Sequence, residues 1–395
     1  MVFSGMNEPD ALKVRFSDHL GFWLAATLMI TAAHIYLYMA VGRYLSRPWE
    51  AAWVAIGVAS LGSSFAVSRS RDGGIDRKNI LPRLLLQRLG ACWNIFVLLT
   101  AAIMLVLRMT LKFHPLTPWA AYAASCLASC AICVYGMIEA RILRLVTLNI
   151  ETKKLPRGEH MRIVQLSDIH IGPFMDMSFV RKLTDGVKKL NPDLVLVTGD
   201  IVDGLVGDGE GVFPYYAAFA DCLRELSGAS RLGVWAIPGN HDYYGGFDNS
   251  RDFMERAGIK LLLNEKTDVG GILLLGADDR DHEIPSDMPF MSRSEKLVDS
   301  LTDGELEKFV ILLRHRPIVE AITIGSFDIQ LSGHTHGGQL FSLPSSRHRI
   351  PGRPKGLLSL GRGSYLYVTN GAGFVGPPMR FFAPAEIVSI DLEGE

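Results

Sequence analysis

Apolar and polar positions divide the chain into two halves of different texture. Up to about residue 145 the apolar positions run together, whereas beyond about residue 161 they come in short runs broken by Gly, Pro, Asn and Asp. Leu20 to Gly42 holds no formal charge and is interrupted only by His34. At about 1.5 Å per residue it is long enough to cross a hydrocarbon core of about 30 Å as a helix. Three further stretches have the same character: Ala51 to Ser68, which is shorter and rich in small residues, Leu89 to Leu107, and Leu116 to Ile138. The pattern predicts an all-α membrane region of four helices within residues 1–145, a basic helical connector at 146–160, and a separate folded domain over 161–395. Repeated spans argue for a retained anchor rather than a cleaved signal peptide, which has one shorter apolar region and a small-residue cleavage site.

In the second half, five segments read as strands: Arg162 to Leu166, Leu194 to Val197, Gly233 to Ile237, Phe309 to Leu313 and Asp328 to Leu331. Runs such as DLVLV and FVILL suit strands buried on both faces. Between the first two, Phe179, Val180, Leu183, Val187 and Leu190 recur at helical spacing, which gives a β-α-β step with a right-handed crossover. Lys260 to Asn264 and Gly271 to Leu275 read as two adjacent strands, and Tyr365 to Thr369 and Glu386 to Asp391 add more. The strand content therefore exceeds one sheet.

Charge orients the membrane half. Basic residues collect before the first span (Lys13, Arg15), between the second and third (Arg69, Arg71, Arg77, Lys78, Arg83, Arg88) and after the fourth (Arg141, Arg144, Lys153, Lys154, Arg157). The opposite loops carry Arg43, Arg47, Arg108 and Lys112. This asymmetry predicts a multi-pass protein of the cell (inner) membrane with both termini, and the second half, on the cytoplasmic side. The polar side chains His34 and Asn94 inside spans are read as helix-to-helix hydrogen bonding groups.

Composition then removes some possibilities. A net charge of −1 gives no general footprint for nucleic acid, and no basic tract interleaved with aromatic residues supports that partner. Mean hydropathy of +0.20 agrees with a membrane-embedded part. Of five cysteines only Cys222 lies in the second half, so that half has no internal disulfide framework. Cys130 and Cys133 form a CxxC inside an apolar helix with no second ligand pair, and are read as small packing residues.

Each of the first five strands ends in a polar cluster: Asp168 with His170 (SDIH), Asp200 (TGD), Asn240 with His241 and Asp242 (PGNHD), His315 (LLRHRP), and His334 with His336 (SGHTHGG). Side chains beyond the carboxyl ends of strands in an α/β sheet converge on one crevice. Asp193, Asp203, Asp278 and Asp279 also lie near strand ends and are read as capping or turn residues. The basic, Pro/Gly-rich segment Arg347 to Arg362 is either a wall for substrate or a lipid headgroup or a solvated loop, and Arg380 poses the same choice.

The ordered series D-x-H, G-D, G-N-H-D, a lone His and G-H-T-H resembles the signature of the calcineurin-like metallophosphoesterases, and the likeness covers about Met161 to Leu392. It implies a four-layer α-β-β-α sandwich and a pair of divalent transition-metal ions, Mn, Fe or Zn. By the same resemblance Asp168, His170, Asp200 and His336 hold one metal, and Asp200, Asn240, His315 and His334 the other, with Asp200 bridging. His241 is implied to stabilise or protonate the leaving oxygen, with Asp242 orienting its imidazole. Two dications against two carboxylates leave about two positive charges, which attract an anionic phosphate and acidify a water.

SDIHIG, GHTHGGQ and the YVTNGAGF to PMRFFAPAE ending are similar to the membrane-associated bacterial branch that includes phosphodiesterases and UDP-diacylglucosamine hydrolases. The expected activity is metal-dependent hydrolysis of a phosphodiester or pyrophosphate bond in a nucleotide- or lipid-linked substrate. The rivals are a cyclic-nucleotide phosphodiesterase, a phosphoprotein phosphatase, and a noncatalytic membrane sensor that keeps the fold.

Overall fold

A computed structural model describes residues 20–42, 46–69, 80–110, 117–204, 207, 212–279, 292–340 and 355–395. Four helices open the chain: α1 (Leu20–Val41), α2 (Arg47–Arg69), α3 (Ile80–Thr110) and α4 (Pro118–Ala140). Each covers one of the four apolar stretches. Among the described residues three helical segments are long and apolar enough to cross a membrane: Leu24–Val41, Leu84–Thr110 and Pro118–Ala140. Thr117 caps α4 by accepting from the Ala120 amide, and Pro118 supplies the preset first turn.

Inside the bundle the amide of Asn94 on α3 reaches the Ser60 carbonyl of α2 at 3.5 Å, as expected of a helix-to-helix contact. His34 differs from expectation. Its ring lies between the indoles of Trp53 (6.0 Å) and Trp93 (6.4 Å), and among the described residues neither ring nitrogen has a hydrogen-bond partner.

The connector is not helical. Residues Leu143–Thr152 form strand β1, which follows α4 after two residues. From Val146 onward the half-buried positions alternate (Val146, Leu148, Ile150, Thr152), a period-two signal that the flanking basic residues obscure. Next come β2 (His160–Leu166), α5 (Met177–Lys188), β3 (Leu194–Thr198), α6 (Pro214–Ala229), β4 (Val234–Ile237), α7 (His241–Tyr244), α8 (Phe247–Arg256) and β5 (Ile259–Leu261). Then follow β6 (Glu265–Val269), β7 (Ile272–Ala277), α9 (Arg293–Asp299), α10 (Asp303–Leu306), β8 (Phe309–Arg314), β9 (Ile329–Ser332), β10 (Gly356–Gly361), β11 (Ser364–Val368) and β12 (Ala385–Gly394).

Two six-stranded sheets result, in the orders β1-β12-β2-β3-β4-β5 and β10-β11-β9-β8-β7-β6. In the first, β2, β3 and β4 run parallel, so their carboxyl ends emerge together; in the second, β7, β8 and β9 do the same. Period two sorts the side chains into layers. Leu194 and Leu196 of β3 face Ile311 and Leu313 of β8 in the seam between the sheets. Val195 and Val197 point the other way, into the packing of α5, α6 and α8, while Val310 and Leu312 pack toward α9. The order is thus helices, sheet, sheet, helices, the α-β-β-α sandwich. Burying both faces of β3 and β8 is why their sequences are unbroken apolar runs.

One pairing is corrected. The strands near 260 and 272 are not neighbours: β5 closes the edge of the first sheet against β4, while β7 lies inside the second sheet. The antiparallel partner of β7 is β6, whose sequence EKTDV is too polar to stand out as a strand. Of the basic segment 347–362, residues 347–354 lie outside the described residues, and Gly356–Gly361 is the edge strand β10.

Candidate metal centre

Five loops, three from the first sheet and two from the second, leave the strand ends on the same side. Their side chains meet in the seam. His336 Nε2 lies 3.0 Å from His170 Nε2 and 3.3 Å from Asp168 Oδ1. His315 Nε2 lies 3.1 Å from Asp200 Oδ2 and 3.2 Å from His334 Nδ1. The same Asp200 oxygen is 3.7 Å from His170 Nε2, so Asp200 stands between the two groups. Three sets of three ligand atoms, Asp168/His170/His336, His170/Asp200/His241 and Asp200/His315/His334, each fit within 4.8 Å.

The backbone is bent to achieve this. Asp168, His170, Asp200, His334 and His336 all take φ between 50° and 68°, a region in which an L-residue is strained. Short strand-end turns must redirect each side chain into the seam, and the strain is held by the packing on either side. Two glycines allow the loops to approach: a Cβ on Gly333 would collide with Ser167 and the Asp168 carboxylate, and one on Gly239 with the Asp200 carboxylate.

Charge is concentrated here. Burial alone would raise Asp200, but the charges of His315 and His241 and a hydrogen bond from His315 overcome it and hold the carboxyl well below its usual range. His315 mirrors this: burial disfavours its charged form, yet Asp200 and Asp168 push it up to about 10. His170 falls to about 4 through burial and the neighbouring His241. Asp168 rises to about 6, chiefly through burial and then the charge of Asp200. Imidazoles facing one another across about 3 Å, beside two buried carboxylates, form a donor set of nitrogens and oxygens suited to a pair of divalent cations. Asn240 fits as well. Its amide nitrogen donates to Tyr244 Oη (2.9 Å), while its buried Oδ1 has no hydrogen-bond partner among the described residues.

A calcineurin-like phosphoesterase profile matches residues 161–338. An uncharacterized metallophosphoesterase of Aquifex aeolicus is 35% identical over 263 residues, which are 66% of this chain and 96% of that protein. The chain belongs to the calcineurin-like phosphoesterase family. Another relative, an uncharacterized metallophosphoesterase of Campylobacter jejuni, is 33% identical over 254 residues, 63% of either chain. A zebrafish (Danio rerio) transmembrane protein with a metallophosphoesterase domain is 30% identical over 275 residues, 66% of this chain and 60% of that one. The chain thus spans less than two thirds of these last two relatives.

Within this metallophosphoesterase domain, the partner expected for His241 is corrected. Its Nδ1 lies 2.9 Å from Asp203 Oδ1, so Asp203 rather than Asp242 orients the ring. Asp242 is fully buried and points away, accepting from the amides of Val202 (2.8 Å), Gly239 (2.8 Å) and Ile201 (3.4 Å). It ties the loop after β4 to the loop after β3. Asp203 is placed by pairing with the loop after β2, its amide donating to the Ile171 carbonyl (2.9 Å), and a strand-end aspartate gives no local sign of that.

Arg380 is a second correction. It is neither a substrate wall nor solvated: its guanidinium is fully buried and donates to the carbonyls of Gly373 (2.5 Å), Ala383 (2.8 Å) and Asn370 (3.0 Å), with Nη2 3.5 Å from His336 Nδ1. The other aspartates serve as local ties. Asp193 accepts from the Arg162 amide, Asp278 from Tyr243 Oη, and Asp279 pairs with Arg316.

Proposed function

We propose that this chain is a membrane-anchored, metal-dependent phosphoesterase that hydrolyses a phosphodiester or pyrophosphate bond of a nucleotide- or lipid-linked substrate. The observation that carries the proposal is the meeting of Asp168, His170, Asp200, His315, His334 and His336 around one shared carboxylate. In this reading Asp168, His170, Asp200 and His336 hold one cation, and Asp200, Asn240, His315 and His334 the other, with Mn, Fe or Zn as the metals. The bound cations supply a water acidified toward neutral pH and a positive field for the phosphate oxygens.

The chain's own residues do the rest. His315 Nδ1 faces the Thr198 carbonyl at 2.7 Å, which fixes a proton there; without a cation Nε2 keeps its proton toward Asp200, and a bound cation would take the place of that proton at Nε2. Asp203 holds the His241 ring at Nδ1 in the same way, so that Nε2 is the atom that would hold or deliver a proton at the leaving oxygen. His241, like His334, is partly exposed where His170, His315 and His336 are buried, which suits a group that touches substrate. Asn240, as a neutral amide, keeps the net charge of the loaded centre positive.

The anchor is the helical region ending at Ala140, and the catalytic unit begins at Leu143. The basic loops support a cytoplasmic catalytic unit at the cell membrane. Digestion of that unit by protease added outside sealed, right-side-out vesicles would overturn the assignment. The membrane-associated bacterial branch with its lipid-linked sugar-nucleotide substrates is the nearest substrate reading. Cyclic nucleotides and phosphoproteins are the competing substrates, and a noncatalytic sensor is the rival of another class. The deciding experiment compares Mn-loaded full-length chain with Asp200→Ala and His241→Ala on a soluble aryl phosphodiester. Turnover by the parent and its loss in both variants supports the reading; equal rates in all three reject it.

A further inference from the structure

A loop that carries candidate metal ligands and a second segment that hydrogen-bonds to the candidate ligand His336 both meet the helical region. Arg88 of α3 donates from Nε to the Pro173 carbonyl (2.6 Å) and from Nη2 to that of Met175 (2.7 Å), just beyond His170. On the other flank the Arg380 amide donates to the Gly136 carbonyl of α4 (2.9 Å), and the Phe381 ring occupies the space that a side chain on Gly136 would need. Through its guanidinium, Arg380 reaches the His336 carbonyl at 3.4 Å. The segment seated on α4 is therefore one side chain away from the metal centre.

The depth of this contact follows from helix geometry. α4 is apolar enough to cross a membrane over its full length, Pro118–Ala140. Gly136 lies four residues before its end, about 6 Å along the axis. A helix of 23 residues is about 34 Å long against a core of about 30 Å, so Tyr135 and Gly136 fall at the boundary between acyl chains and headgroups, where aromatic side chains collect. At the opposite end of the bundle Trp49 and Trp119, the exposed indoles at the starts of α2 and α4, mark the other boundary. Phe382 sits beside the Tyr135 ring (5.9 Å) with 84% of its surface open. In water an exposed phenyl ring would forgo burial; at this depth lipid surrounds it.

We infer that Phe382 inserts into the bilayer at the level of Tyr135 and holds the metal centre at headgroup height, where the phosphoester of a membrane amphiphile is presented. The occupant of this surface is lipid, because the surface is continuous with the apolar span of α4. The location stands independently of the catalytic reading, while the substrate class rests on it.

The test uses the full chain in bilayer nanodiscs of phosphatidylcholine and phosphatidylglycerol, comparing Phe382→Trp with the parent. Added emission that is quenched by lipids brominated near the headgroup end of the acyl chain supports the insertion. Quenching by aqueous iodide alone, or by neither agent, overturns it. For the substrate class, Phe382→Ser is expected to lower the rate on a diacyl phosphodiester in the disc several-fold and to leave the soluble aryl phosphodiester unchanged. Equal loss on both, or no loss on either, refutes presentation at headgroup height. Absence of aryl ester hydrolysis by the parent would instead reject the phosphoesterase reading and leave the quenching result standing.

Discussion

Two regions of this protein bury histidine, and they do so differently. In the sandwich, His170, His315 and His336 are closed off against Asp168 and Asp200, and all of these but His315 lie on backbone held at positive φ. In the helical bundle, His34 is nearly as buried but faces indole rings and lies on regular helix. The first arrangement costs strain and desolvation that nothing in an apolar core would repay, so it persists where a cation or substrate uses it. The second is compatible with packing alone. Burial of an imidazole is therefore not itself the mark of a site; buried carboxylates within about 4 Å and a strained turn are.

Substitutions sharpen the contrast. The largest effect is expected for Asp200→Ala, which removes the carboxylate between the two groups. Loss of bound metal by elemental analysis, and a fall in aryl phosphodiester turnover beyond the 10- to 100-fold range (roughly) typical of outer-shell partners, is expected. His34→Ala should leave both readouts near the parent level, and loss of metal in that variant would erase the distinction between the regions. His241→Ala comes next, with turnover down by about 100- to 10,000-fold; metal content that holds assigns the ring to substrate, and metal loss assigns it to the group it forms with His170 and Asp200.

Asp203→Asn should cost about 10- to 100-fold and alter the pH profile of turnover, since an amide no longer fixes the imidazole's charge state. Asp242→Asn should act elsewhere. It weakens a carboxylate that accepts from three buried amides, so a lowered melting temperature is expected, with the pH profile kept in the enzyme that remains folded. Identical pH profiles for Asp203→Asn and the parent would return the orienting role to Asp242. The smallest effect concerns the sheet edge. Ile150→Ala on β1 is expected to cost less than the 2–5 kcal/mol (roughly) of a deep core truncation, because this residue is only half buried, read by denaturant unfolding of the catalytic unit.

The legibility of the molecule tracked how local its causes are. The candidate ligands stood out as a series of metal-binding side chains at successive strand ends in a fixed order, and His315, which has no flanking glycine, was legible only by its place in that series. Strands β3 and β8 were plain because burial on both faces leaves an unbroken apolar run. Strand β1 was obscured: its partner β12 is more than two hundred residues away, and its own half-buried alternation lies among basic residues. β6 was missed because an edge strand can be polar on both faces, and β5 and β7 were paired wrongly because nothing in either segment names its sheet.

The choice between Asp203 and Asp242 shows the same limit at the site. Both flank motif residues, both are buried, and Asp242 is adjacent in sequence to the histidine it was expected to orient. Adjacent residues on one helical turn point in different directions, so His241 turns toward Asp203 while Asp242 turns back to the amides below it. The role of Arg380 likewise depended on which carbonyls surround it.

By itself the sequence determined the apolar helices, the strand runs, the ligand types and their order, because these are set by periodicity and by the intrinsic chemistry of each side chain. Tertiary structure alone decided which strands share a sheet, which carboxylate steadies His241, and that the Arg380–Phe382 segment rests on α4 at Tyr135 and Gly136. Those outcomes depend on contacts between residues distant in the chain, whose energies come from shape and burial that no local pattern encodes.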